Sequence, residues 1–205
     1  MVASVRIIPG LGGSGPAHWQ SRWLQLRPEC RRVEQRDWDD PDPDAWSAAL
    51  DASVRAAPAP VVLVAHSLGC ALVGHWVAAG GAVERVGGAL LVAPCDTDTA
   101  GACGRIRRFA PMPALPLPFR STVVASRNDP YASLDRARRF ADDWGSAFID
   151  AGAIGHINAA SGLGDWLFGQ VLLDTLIASA EDDRTPYARA AALRMRPAAA
   201  PHAAA

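Results

Sequence analysis

Residues 61–69 read VVLVAHSLG, and the fold turns on that stretch. Val61 to Ala65 is a nearly continuous apolar run, as a strand buried on both faces requires. From Leu68 onward apolar residues recur at spacings of three and four, which is a helical pattern. A serine between such a strand and such a helix sits on a sharp, strained turn that needs small residues two places before and after it. Ala65 and Gly69 supply them around Ser67. The usual form has glycine at the first small position, so Ala65 is a mild departure. The competing reading of Ser67 is a simple helix cap.

Outward from this turn the chain alternates. Apolar runs at 4–8, 32–35, 61–65, 88–93, 122–125 and 147–150 are expected strands, and 17–26, 44–57, 68–79, 134–144 and 164–180 carry helical spacing. Strand and helix in alternation predict a three-layer α/β sandwich, a mainly parallel six-stranded sheet with helices on both faces. One stretch breaks the rhythm. Residues 105–119 carry Pro111, Pro113, Pro116 and Pro118 among Ile106, Phe109, Met112, Leu115 and Leu117, so they cannot form one regular helix. Two expectations stand for them: an apolar flap lining a pocket above Ser67, or a plug at the sheet end.

The remaining composition bounds the class. The chain has 205 residues, 50% hydrophobic and 20% charged, enough for one domain with a sizeable core. That domain is expected over 1–180. Residues 181–205 form an Ala/Pro/Arg-rich tail, expected to be disordered or weakly helical from Thr185. Twenty basic residues, all arginine, balance 21 acidic ones, and no long basic run exists, which argues against a nucleic-acid partner. With no apolar run long enough to span a membrane and no signal-peptide pattern, a cytoplasmic location is expected. Cys30, Cys70, Cys95 and Cys103 lack metal-ligand spacing and are expected to be free thiols.

A serine hydroxyl needs a base, and the base needs an orienting acid. SRNDPYAS places Asp129 just beyond the fifth strand, and AGAIGHINAASG places His156 beyond the sixth. Serine, acid and histidine then follow in the chain order this type of turn uses. Asp96 and Asp98, after the fourth strand, compete with Asp129; His18, His66, His75 and His202 are weaker rivals of His156. Donors for an oxyanion are expected from the backbone of Leu68 and of Leu11, with Gly12 as Leu11's neighbour, in the loop IIPGLGGSGPAHW. That loop lacks the lysine and the spacing of a phosphate cradle. His18, Trp19, Ile106, Phe109 and Met112 are the further candidates for a substrate pocket.

Four stretches in this order, PGLGGSGPAHWQSRW at 9–23, VAHSLGCAL at 64–72, VVASRNDPYASLDRA at 123–137 and GAIGHINAASGLGDW at 152–166, resemble the YdeN family of small α/β-hydrolases. The family is also named for a retinoblastoma-binding serine hydrolase, and the resemblance covers about Ser4 to Leu176. It implies an α/β-hydrolase without a large cap domain, a triad of Ser67, Asp129 and His156, and no metal or organic cofactor. The L-x-C-x-E retinoblastoma-pocket signature is absent, because residues 68–72 read LGCAL. The expected function is a serine hydrolase acting on a small ester, thioester or amide through an acyl-enzyme. The alternative is a silent binding protein on the same fold.

Overall fold

The computed structural model describes residues 3–182; the tail expected to be disordered lies outside them beyond Asp182. Six strands, β1 (Ser4–Ile8), β2 (Cys30–Arg32), β3 (Val61–His66), β4 (Val86–Val92), β5 (Ser121–Ala125) and β6 (Ala147–Asp150), form one sheet in the order β2-β1-β3-β4-β5-β6. Every neighbouring pair is parallel. The helices are α1 (Trp19–Leu26), α2 (Pro43–Ala56), α3 (Leu68–Ala78), the single turn α4 (Gly104–Arg107), α5 (Leu134–Trp144) and α6 (Leu167–Asp182).

The alternation of side chains along each strand builds two cores. Val61, Leu63 and Ala65 of β3 face one layer, with Trp46 and Leu50 of α2, most of α3, and Phe140 and Trp144 of α5. Val62 and Val64 face the other, with Trp19 and Trp23 of α1 and Leu173 and Leu176 of α6. All six residues of β3 are buried, which explains why its sequence is apolar without alternation. Among the described residues no large cap domain interrupts the layers.

Several element ends shift by one to three residues from the sequence expectation, and two of these shifts have a physical reason. β2 begins at Cys30, ahead of the expected 32–35, because Cys30 is 1% exposed and acts as a small apolar core residue against α1. Helix α6 continues two residues past the expected end at 180, and Glu181 accepts a hydrogen bond from the Ala3 N–H at 3.2 Å.

The 105–119 stretch is anchored in the core at intervals, by Ile106, Phe109, Met112 and Leu117, with exposed residues between them. After α4 the chain turns inward, and Phe109, Met112 and Leu117 join the core cluster of α2, α3 and α5. Asp98 Oδ1 accepts the Met112 N–H at 2.9 Å, tying the stretch to the loop after β4.

Candidate active site

Ser67 lies between β3 and α3 with φ 56° and ψ −122°, a conformation rarely adopted by a residue with a Cβ. The turn is sharp because other backbone passes against it. A Cβ at Gly69 would lie 2.5 Å from the Ile8 carbonyl oxygen, and one at Gly10 would lie 3.0 Å from both the His66 oxygen and the Leu68 nitrogen. The second small position of the turn is therefore a steric requirement, and the β1–α1 loop is pressed onto the start of α3. That places Ser67 at the carboxyl ends of the strands, where open α/β sheets form their clefts.

His156 and Asp129 reach the same point from the loops after β6 and β5. His156 Nε2 is 2.9 Å from Ser67 Oγ, and its Nδ1 is 2.9 Å from both oxygens of Asp129. The His156 side chain is 8% exposed and that of Asp129 is 4%. A carboxylate only accepts, so the Asp129 contact puts the proton of a neutral imidazole on Nδ1 and leaves Nε2 free to accept the Ser67 hydroxyl proton. Asp96 and Asp98 are engaged elsewhere, with Arg136 at 3.1 and 2.6 Å. Burial pushes the nearby Cys95 thiol up to about 12, so its thiolate is not available beside Ser67.

A cavity of about 410 Å³ opens above Ser67 and His156. Leu11, Gly12, His18 and Ile106 are among the residues that line it. The Leu68 N–H stands at the first position of α3, where helical N–H groups have no partner within the helix. In the facing loop the Gly12 N–H donates to the Trp38 carbonyl at 2.9 Å and the Gly13 N–H to Gly10 at 3.1 Å, whereas the Leu11 N–H has no hydrogen-bond acceptor among the described residues. His18 Nδ1 accepts the Gln20 N–H at 3.1 Å, and its Nε2 is a buried donor without a partner among the described residues. Burial, helped by the charges of His156 and Arg32, brings His18 down to about 4, so it is neutral near pH 7. A larger recess of about 600 Å³ lies at the opposite ends of the strands, by Pro60, Val86 and Phe119, away from these groups.

Three expected pocket residues do not line the cavity. Trp19 is 1% exposed, sealed in the α1–α6 core with its ring 4.7 Å from those of Trp23 and Trp166. Phe109 is fully buried against Trp46, and Met112 packs in the same core. Of the two expectations for the proline-broken segment, Phe109 and Met112 follow the plug: they are core and not pocket lining. Conversely, the cavity wall includes Ser14, Tyr131 and Asn158, which sequence reasoning missed. It also missed Ser126 and Asn128. Ser126 Oγ accepts the Ile154 N–H at 2.9 Å and Asn128 Oδ1 the Gly155 N–H at 2.7 Å, bracing the His156 loop. The polar run SRN just ahead of Asp129 was the available sign. Among the described residues no group of three or more His, Cys, Asp or Glu side chains is placed to hold a metal ion, and no helix is long and apolar enough to cross a membrane.

Comparison with known proteins agrees with this architecture. No curated protein matches the chain. A protein described as a YdeN-like hydrolase, from Pectobacterium atrosepticum, is 34% identical, with 88% of this chain and 91% of that chain covered and a TM-score of 0.75. The ydeN gene product of B. subtilis shares the fold at 17% identity and a TM-score of 0.66, over 86% of this chain and 99% of that one. The esterase RhEst1 from Rhodococcus does so at 15% identity and a TM-score of 0.64, over 87% and 91%. The model of the serine hydrolase family matches residues 5–175. The chain therefore belongs to the serine hydrolases, as a small α/β-hydrolase of the YdeN type.

Proposed function

We propose that this serine hydrolase cleaves small esters, thioesters or amides of short acyl groups through an acyl-enzyme on Ser67. The observation that carries the reading is the unbroken chain of contacts from Ser67 Oγ through the His156 ring to Asp129, each 2.9 Å. Ser67 Oγ attacks the acyl carbon while His156 Nε2 takes its proton. The carbonyl oxygen becomes an oxyanion, held by the N–H groups of Leu11 and Leu68. His156 then gives the proton to the leaving group as the bond to it breaks. Water repeats the sequence in the second half: His156 accepts its proton, the hydroxide adds to the acyl carbon, and the proton returns to Ser67 Oγ as the acid is released. Asp129 holds the ring in the required tautomer and stabilises the imidazolium.

Gly12, His18 and Ile106 are the proposed substrate contacts. A cavity of about 410 Å³ without a covering domain suits an acyl group of about two to six carbons, with no activation at a lipid surface. A fluorophosphonate probe tests the chemistry directly. The purified protein should label, and Ser67→Ala should not. A wild type that stays unlabelled would instead make this a silent protein that binds without turnover.

A further inference from the structure

His156 sits on strained backbone. Gly155 before it has φ 66°, and Ile157 after it has φ 48°, a left-handed conformation that a β-branched residue adopts only when its surroundings impose it. Two buried rings hold the carbonyls of this turn. His66 Nε2 lies 2.9 Å from the His156 carbonyl oxygen, and Trp19 Nε1–H donates to the Ile157 carbonyl at 2.7 Å. His66 is 4% exposed and Trp19 is 1%, and their rings meet edge to face at 6.1 Å and 87°. A carbonyl only accepts, so His66 donates through Nε2–H. Burial holds His66 well below the ordinary histidine range, which keeps the ring neutral.

His66 is also the residue directly before Ser67. Its main chain ends β3 and leads into the strained turn, while its side chain grips the peptide of the base. One residue thus spans the nucleophile and the histidine. Ser126 and Asn128 hold the N–H groups of Ile154 and Gly155 on the approach to His156, so the loop is braced on both sides of the ring.

We infer that His66 and Trp19 are positioning residues for the hydrolytic reaction: by hydrogen-bonding the consecutive carbonyls of His156 and Ile157, they set where the His156 imidazole stands relative to Ser67. The inference rests on the proposed roles of Ser67 and His156. It assigns Trp19 a part other than lining the pocket, and gives a task to a cavity-wall histidine whose Nε2–H is committed to the His156 carbonyl.

The test separates the hydrogen bonds from the packing. In His66→Leu the volume is nearly kept and the donor is lost; in His66→Gln the side-chain amide presents a donor at the place of Nε2. Misplacing a base by a fraction of an ångström to one ångström costs on the order of ten- to a hundredfold in turnover. His66→Leu should therefore lower kcat for a short p-nitrophenyl ester by that range while KM stays within about twofold, because the lost alignment matters in the transition state. The rate of fluorophosphonate labelling should fall in parallel, and His66→Gln should recover most of both. Trp19→Phe, which keeps an aromatic ring but loses the N–H together with part of the indole, should lower kcat by about tenfold by the same route.

Wild-type kcat and labelling in His66→Leu would overturn the role of His66. So would a His66→Gln as impaired as His66→Leu at equal melting temperature. Should His66→Leu not fold, Trp19→Phe still decides, since an unchanged kcat in it would refute the clamp. A wild type that neither labels nor turns over overturns the hydrolase reading itself, an outcome distinct from any difference among these variants.

Discussion

The β1–α1 loop and the 105–119 stretch both border the cavity above Ser67, yet they are built on different physics. The loop is positioned by backbone. Glycines let it press onto the turn at Ser67, its carbonyls and N–H groups bond to fixed partners, and it offers the cavity the Leu11 N–H and the His18 ring. The 105–119 stretch is positioned by burial, with Ile106, Phe109, Met112 and Leu117 in one core cluster and Ile106 alone of its side chains also reaching the cavity wall. The difference teaches where function concentrates. Directional groups held by hydrogen bonds carry chemistry, while the apolar wall supplies volume and stability.

The loop after β4 offers the sharpest way to break that division, because its acids sit one strand away from the proposed triad. Asp129→Asn should fold and lose turnover by a factor on the order of 10⁴, since an amide cannot hold the imidazole in the required tautomer. Asp98→Asn should lower kcat/KM far less, because Asp98 is paired to Arg136 and to the Met112 N–H. Steady-state kinetics on the two variants decide it; the reverse ranking would move the acid to the other loop.

Phe109→Ala should invert the pattern. Emptying a fully buried phenyl site costs about 3–5 kcal/mol of stability, read as a fall in Tm of roughly 6–20 °C for a domain of this size. Turnover below the transition should be little altered, because Phe109 lies against Trp46 and not on the cavity. A lost activity with an unchanged melting temperature would put Phe109 back in the pocket.

The same division explains what the sequence made legible. The turn at Ser67 was readable because sterics write themselves into composition: an apolar strand, a small residue on each side of the serine, a helix after it. Asp129 and His156 were readable because chain order and strand ends place them, and the parallel sheet follows from alternation. The 105–119 stretch was not, since prolines erase periodicity and an apolar side chain at Phe109 or Met112 looks the same whether it lines a pocket or fills a core. Trp19 is a related case: its place at the end of the loop after the first strand points to the cavity, while its hydrogen bond to Ile157 joins residues 138 apart in sequence, a pairing that no local pattern announces. Ser126 and Asn128 bond to loop N–H groups through side chains of ordinary surface type, so only the folded geometry distinguishes them.

His18 offers a pH test of the loop wall. In the folded protein it titrates at about 4, below its ordinary 6.5, so between these values the unfolded chain binds a proton that the native state refuses. Its contribution is fully present above about 6.5 and is lost as pH falls toward 4, at up to about 1.4 kcal/mol per pH unit. His66, shifted the same way, adds to the slope. Urea unfolding across this window should show stability falling with acid, and His18→Asn, which keeps a capping side chain for α1, should flatten part of the fall. A slope identical in the variant would mean that His18 charges freely in the folded state.

The smallest effect belongs to Ile106, the one apolar side chain that the 105–119 stretch gives to the cavity. If this wall supplies volume rather than chemistry, shortening Ile106 to alanine should leave the hydrolytic step in place and change only how much acyl chain fits. Each methylene newly buried is worth up to ~0.8 kcal/mol, about a fourfold change in kcat/KM. Across p-nitrophenyl esters, the wild type should favour acyl groups of about two to six carbons, and Ile106→Ala should move the optimum about two carbons longer. Acetate should lose a few-fold from the looser fit and hexanoate should gain a similar factor. Equal losses on every chain length would show that Ile106 acts only as part of the core cluster it shares with Phe109 and Met112, and not as a limit on acyl length. A wild type whose kcat/KM climbs steadily to long chains, or jumps once the ester forms micelles, would show a deeper channel and a wall that moves.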